Sequence, residues 1–338
     1  MKAMYINLQL FAELNTQTTL LTPLSAEMKT FYDMNLIDEA SAELVHDQFG
    51  QKRPIPQNGG KTIEFRKFAS LPKATTPLTE GVTPDGGSLE VTKIEATVSQ
   101  YGYYIVQSDI LELTSIDNTI VEATKVLGKQ AGVTLDTIVR NVLQSGLNVS
   151  YCPKVAADGT TTEVTSRANL DATSTLTVDM VKQIVAKLRA QNAPKINGDY
   201  VAIIHPYVAY DLMADKDWIE AHKYATPENI YTGEIGKIAG VRFVESTDAK
   251  IYTGEGCPNG LAVFGCLFFG DGAYGVTEVS GGGLQTIVKQ KGSAGTGDPL
   301  DQRSSIGWKA LKTAEILIPN YLVRVECCSK FSKTAQAN

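Results

Sequence analysis

Two alternating arms with a long polar tip between them, spanning Lys61 to Ser108, constrain this chain more than any other feature. In the first arm Ile63 and Phe65 alternate with Glu64 and Arg66; in the second, Ile94, Ala96 and Val98 alternate with Glu95, Thr97 and Ser99. Both arms read as half-buried strands. The stretch from Leu71 to Gly87 carries Pro72, Pro77, Pro84, Gly81 and Gly86, which cannot continue either strand. An arm of about 20 residues at about 3.3 Å each reaches about 65 Å, whereas a compact globule of this length has a radius of gyration of about 20 Å. The hairpin is therefore expected to project beyond its own domain, with nothing nearby in sequence to cover it. A bare two-stranded ribbon is marginal in water and its edges invite pairing, so neighbouring copies should cover it. The first expectation is an assembly subunit.

The remaining composition narrows the classes. With 338 residues and 43% hydrophobic content the chain can bury a substantial core, divided between two lobes. A net charge of -6 gives no global basic field for reading nucleic acid, so any contact with double-stranded DNA should be local, weak and non-specific. The longest apolar run, Leu261 to Phe269, is far short of the ~20 residues of a membrane-spanning helix. Asn7 and Gln9 break the N-terminal apolar stretch, which makes a poor signal peptide. Cys152, Cys257, Cys266, Cys327 and Cys328 are odd in number and scattered, as expected of reduced thiols. His46, His205 and His222 lie at no metal-binding spacing, so no metal and no cofactor are expected.

Along the chain, residues 1–23 are rich in Asn, Gln and Thr and read as an arm ordered by contact with something else. One or two short helices are expected between Leu24 and Gln48. A long helix capped by Asp117 or Asn118 should run to Ser145, with Leu127, Ala131, Leu135, Ile138 and Val142 on one side; about 28 residues make a rod of about 40 Å. Residues 156–177 read as a loop or short edge hairpin, and Thr177 caps a second helix that stops before Pro194. From Tyr200 the pattern turns α/β: Val201–Ile204 as a buried strand, a helix from Pro206 to Met213, and strands at Ile235–Val244 and Leu261–Phe269. Ser305–Lys312 and Ala314–Lys330 return as sheet.

Motifs that suggest catalysis fail on context. Gly270 to Gly275 spells G-x-G-x-x-G, yet β-prone Val276–Val279 comes next where a helix should hold a pyrophosphate, so it reads as a turn between strands. Gly60-Lys61-Thr62 imitates the end of a phosphate loop, but Ile55 stands where its first glycine should be. No serine elbow or cysteine-protease signature is present. His205 reads as a hydrogen-bonding residue at a strand-to-helix junction. Lys125, Lys129 and Arg140 fall on the polar side of the long helix, facing either packaged nucleic acid or solvent beside Glu122 and Asp136. Trp308, Tyr101, Tyr103 and Tyr104 read as packing anchors.

The order of these parts, with particular residues, resembles the major capsid protein of tailed bacteriophages, the Hong Kong 97-type fold. Asn7 to Ala12 is similar to the start of many such proteins; Ile235 to Ser246 looks like the family's axial-domain strand; Asp298 to Lys309 and Pro319 to Glu326 look like its closing segment. The resemblance implies an α+β fold with an N-terminal arm (1–58), an extended loop (59–108), a peripheral domain (109–194) with a spine helix (117–146), an axial domain (195–295), and C-terminal strands (296–338) returning to the peripheral domain. It implies a non-enzymatic shell protein that assembles in the host cytoplasm, forms hexamers and pentamers with itself, and encloses double-stranded DNA in the virion. A separate scaffolding protein, a portal and no membrane complete the implied partners. In the extended loop Phe68, Pro72, Leu78, Glu80 and Val82 are the expected intersubunit residues, with Leu78 and Val82 seated on a neighbour and Glu80 on a basic partner. Lys73 lies in the tip, but no asparagine partner is identifiable, so the type member's cross-linking chemistry is not carried over. A cargo-enclosing bacterial shell of the same fold and a cytosolic α/β enzyme with a binding-loop insertion are the competing readings.

Overall fold

The computed structural model describes the chain from residue 36 onward, apart from residues 41–42, 57, 59, 69–70, 72, 79, 82, 84–85, 116–118, 157, 224–235, 259, 278–281 and 294–297. Residues 1–35 of the N-terminal arm, with most of the expected helical region before residue 48, the capping residues Asp117 and Asn118, and Ile235 thus lie outside the described residues. The described chain forms an α+β fold in which one helix bridges two sheets.

The first sheet is built on β15 (Arg303–Ile316), the longest strand. On one side β4 (Ser99–Ser108) pairs with it antiparallel from Arg303↔Ser108 to Lys312↔Ser99. On the other side β14 (Gln285–Lys289) covers its first half and β13 (Tyr274–Thr277) its last residues, with β1 (Gln51–Lys52) parallel to β13. The second half of the expected second arm, residues 99–108, is therefore sheet rather than free ribbon.

The second sheet has the order β5 (Val149–Tyr151), β16 (Leu322–Cys327), β12 (Val263–Phe269), β8 (Tyr200–Ile204), β10 (Val241–Glu245), β9 (Lys237–Ile238), with β11 (Ile251–Tyr252) against β12. Strands β8 and β10 are parallel and are joined through helices Pro206–Met213 and Lys216–Lys223, as a parallel pair requires. The expected single strand 235–244 is instead a hairpin: Ala239 and Gly240 both take positive φ (54° and 80°), the two-residue turn whose twist matches its strands. Helix Val178–Ala190, capped by Thr177, buries Val181, Ile184, Val185 and Leu188 on this sheet. A small hairpin, β6 (Lys154–Val155) with β7 (Thr161–Thr162), decorates one side.

Two boundaries of the sequence reading change. Strand β16 does not join the sheet built on β15; after a 3₁₀ turn at Pro319–Tyr321 it crosses into the α/β sheet between β5 and β12. Likewise β13 and β14, expected in the axial segment, pair with β15. Both exchanges depend on hydrogen-bonded partners distant in sequence, which local alternation does not specify.

The spine helix, Thr119–Gln144, explains why the sheets hold together. Leu127, Ala131 and Leu135 pack on Ile306, Trp308 and Ala310 of the first sheet, and Val139 and Leu143 continue the same row onto Val201, Ile203, Leu267 and Phe269 of the second. This i, i+4 row is the helix's apolar face. A second row is polar and equally buried. Asp136 accepts from the His46 backbone N–H at 2.7 Å and lies 2.6 Å from its Nδ1, Arg140 Nη1 donates to the Asp248 carbonyl at 2.6 Å, and Gln144 Nε2 donates to the Gly265 carbonyl at 2.8 Å.

Candidate assembly surfaces

The projecting hairpin is real but shorter and better rooted than its sequence suggests. β2 (Thr62–Phe68) and β3 (Val91–Thr97) pair antiparallel from Thr62↔Thr97 to Phe68↔Val91, and seven pairs at about 3.3 Å each give about 23 Å of ribbon. Its foot is covered from far along the chain: Phe65 and Ala96 are buried with Leu317 and partly with Ile318, and a Cβ on Gly275 would lie 2.8 Å from the Phe65 ring. The Arg53 guanidinium sits 5.9 Å from the centre of that ring. Cover therefore exists at the root and is lost toward the tip.

Beyond the paired strands the described tip residues are solvent-exposed. Leu78, expected to seat on a neighbour, is 77% exposed, and Glu80 is exposed two residues on. Leu71, Leu89 and Val91 are exposed as well. Phe68 ends β2, while Pro72 and Val82 lie outside the described residues.

A second apolar surface begins where β4 leaves the hairpin. Tyr103 and Tyr104, expected as packing anchors, are exposed, whereas Trp308 is buried with its Nε1–H donating to Gln130 Oε1 at 2.8 Å. Tyr104 lies across from Gly307, on the sheet face opposite Trp308; Val106 is exposed on the same face. Helix Asp109–Thr114, capped by the Ser108 hydroxyl, comes next with Ile110, Leu111 and Leu113 exposed, Leu113 at 80%. Isolated exposed apolar side chains are ordinary, whereas so many on adjoining elements form a contiguous apolar surface.

The expected DNA-facing residues separate. Lys125 and Lys129 are exposed on the spine, paired with Glu122 at 2.9 Å and Glu43 at 3.5 Å. The Lys125 ammonium is held above its usual range by its hydrogen bond to Glu122. Arg140 is 3% exposed, so it cannot face DNA; burial lowers its pKa, and its protons go to Asp248 and Asn141. Asp136, expected beside it in solvent, is fully buried against His46.

This buried network is what the sequence concealed. His46 and Asp47 form a plug between three elements: His46 on Asp136, the Tyr274 hydroxyl on the His46 carbonyl, and Asp47 against Lys312 of β15 at 2.8 Å. It fixes the chain just before β1 and the hairpin root. The only advance signal is an acid and a histidine flanked by apolar residues.

Groups with the chemistry of catalysis are inward-facing. His205 accepts the Tyr207 N–H as an N-cap, and burial lowers its pKa. Cys152 and Cys266 are pushed well up by hydrogen bonding to Cys327 and by burial, while Cys327, which receives both, is drawn down to about 5. All three are buried in the α/β sheet. Gly270–Ala273 is a turn between β12 and β13, and Tyr274 and Gly275 already belong to β13. Among the described residues no cluster of His, Cys, Asp and Glu could hold a metal, and no helix is long and apolar enough to cross a membrane.

Comparison with known proteins agrees with this architecture. The family described as phage capsid protein matches residues 111–273, from the short helix before the spine to the turn before β13. No curated protein matches the sequence. In shape the chain is similar to the capsid of Ralstonia phage GP4 (14% identity, 85% of this chain and 88% of that one, TM-score 0.63). It is also similar to the capsid of cyanophage Pam1 (13%, 85% and 90%, 0.62) and of cyanophage P-SCSP1u (15%, 83% and 87%, 0.60). These identities speak for the fold, and the family match speaks for the sequence between the hairpin and β13. Together they show the Hong Kong 97-type capsid fold in this chain, with the match to the phage capsid protein family confined to residues 111–273.

Proposed function

We propose that this chain is a major capsid protein whose copies associate through their projecting hairpins into the icosahedral head enclosing the double-stranded DNA of a tailed phage. The carrying observation is the hairpin: a rooted ribbon whose tip, with Leu78 and Glu80 exposed, has no cover within its own chain among the described residues. Leu78 and Glu80, with Pro72, Val82 and Phe68, are the contacts made on adjacent copies. The sheet around β12 and β8 forms the axial lobe of hexamers and pentamers, and the spine helix with β15 forms the peripheral lobe.

The chain acts without catalysis, and its place is the virion. DNA is met through phosphates only, weakly and without sequence preference, from exposed lysines such as Lys125 and Lys129. Packaging through a portal and guidance by a scaffolding protein are then the work of other components. Negative-stain microscopy of the purified chain, alone and with a scaffolding partner, tests the reading: capsomers, tubes or closed shells are expected. A monodisperse monomer across salt and concentration in both preparations would refute it.

A further inference from the structure

The foot of the hairpin carries a groove of about 370 Å³, lined by Phe65, Ile94, Leu317 and Ile318, with Arg53 and Arg66 at its polar side. We propose that this groove receives the hairpin tip of a second copy, Leu78 entering the apolar floor and Glu80 meeting the two guanidiniums. The proposal rests on the shell reading and adds to it the receiving site.

Four observations carry it. The floor is apolar and already ordered, because Phe65 and Leu317 are buried against each other. The described lining holds two arginines and no acid, and Arg66 has only a distant, exposed contact to Glu64 at 3.8 Å. The tip presents the complement, an exposed leucine two residues from an exposed glutamate. Arginine with its fork of donors suits a carboxylate, and an apolar contact beside the charge excludes water from the pair. Lastly, the chain's own tip leaves the groove uncovered: the pairs of β2 and β3 beyond Phe65↔Ile94 lead away from it, and Leu78 is 77% exposed. A neighbour's tip can cover it. Donor and acceptor surfaces that differ make a head-to-tail contact, which closes into rings when the rotation between copies allows.

A benzophenone amino acid in place of Arg66, photolysed in particles of the full chain, identifies the occupant. The expected product is a covalent dimer whose cross-linked peptide comes from residues 73–90 of another copy, distinguished by mixing isotope-labelled and unlabelled chains. Cross-links to residues 1–35, to another protein, or only within one chain would overturn the proposal. A charge exchange supplies the second arm: Glu80→Arg and the pair Arg53→Glu with Arg66→Glu should each lose particles, and the triple variant should regain them. If the single-side variants assemble normally, or fold and fail without rescue, the groove is not the receiving site. Misfolding of the arginine variants leaves the photocross-link to decide. A wild-type chain that forms no oligomer overturns both readings; wild-type shells without the cross-link overturn only this one.

Discussion

Asp136 holds two donors of His46 at 2.6 and 2.7 Å in a place no water reaches. Removing that carboxylate strands a buried N–H and an imidazole, so Asp136→Ala should cost about 3–5 kcal/mol, read as a lower urea midpoint with unchanged slope. A midpoint within experimental error of wild type would mean that the pair contributes nothing. His205 gives a pH prediction. Burial lowers its folded pKa below the ordinary 6.5, so the unfolded chain takes up the proton first. Stability is then full above about 6.5 and declines as pH falls from there toward the folded value. His205→Asn keeps an N-cap acceptor and removes the titration, so it should flatten that part of the stability–pH curve; an unchanged slope would assign the loss to other groups. The mistaken exposure of Asp136 and Arg140 has a plain cause. A charged i, i+4 pair on a helix ordinarily reads as a solvated face, and their partners His46 and Asp248 lie 90 and 108 residues away, beyond any local pattern.

The spine helix contains Gly128 and Gly132, each of which weakens a helix interior by about 0.5–1 kcal/mol relative to alanine. Packing explains them. A Cβ at Gly128 would fall 2.8 Å from the Leu36 carbonyl oxygen, and one at Gly132 2.5 Å from that of Ala40, so the two glycines let the helical residues 36–40 lie directly on the spine. Gly132→Val should displace that segment while leaving both sheets folded, detected as faster tryptic cleavage after Lys52 with a retained cooperative melt. Unchanged cleavage would show that the segment tolerates the side chain. Elements were legible wherever period and punctuation agreed: the spine helix, the Thr177-capped helix, β8, β12 and the hairpin arms. What escaped was pairing. Nothing within 303–327 says that β15 joins one sheet and β16 the other, because both alternate alike and only their distant partners tell them apart.

For the whole molecule, the decisive variant replaces Pro72 through Gly86 with a short Gly-Ser turn. Loop closure changes by only about 0.6 kcal/mol per doubling of length, and the buried foot at Phe65, Ala96 and Leu317 is untouched. Thermal melting and circular dichroism should therefore match wild type while electron microscopy finds no regular shells. Normal shells would remove the tip from assembly, and a collapsed melt would place it in the core. The position of β16 has a consequence in time as well as in space. Lying between β5 and β12, it leaves an open gap in the α/β sheet until residues 322–327 have been synthesised, although every other strand of that sheet precedes it by at least 50 residues. Long-range closure of this kind is slow. A nascent chain thus cannot finish the lobe before residue 327 has left the ribosome, however early the other strands of that sheet emerge.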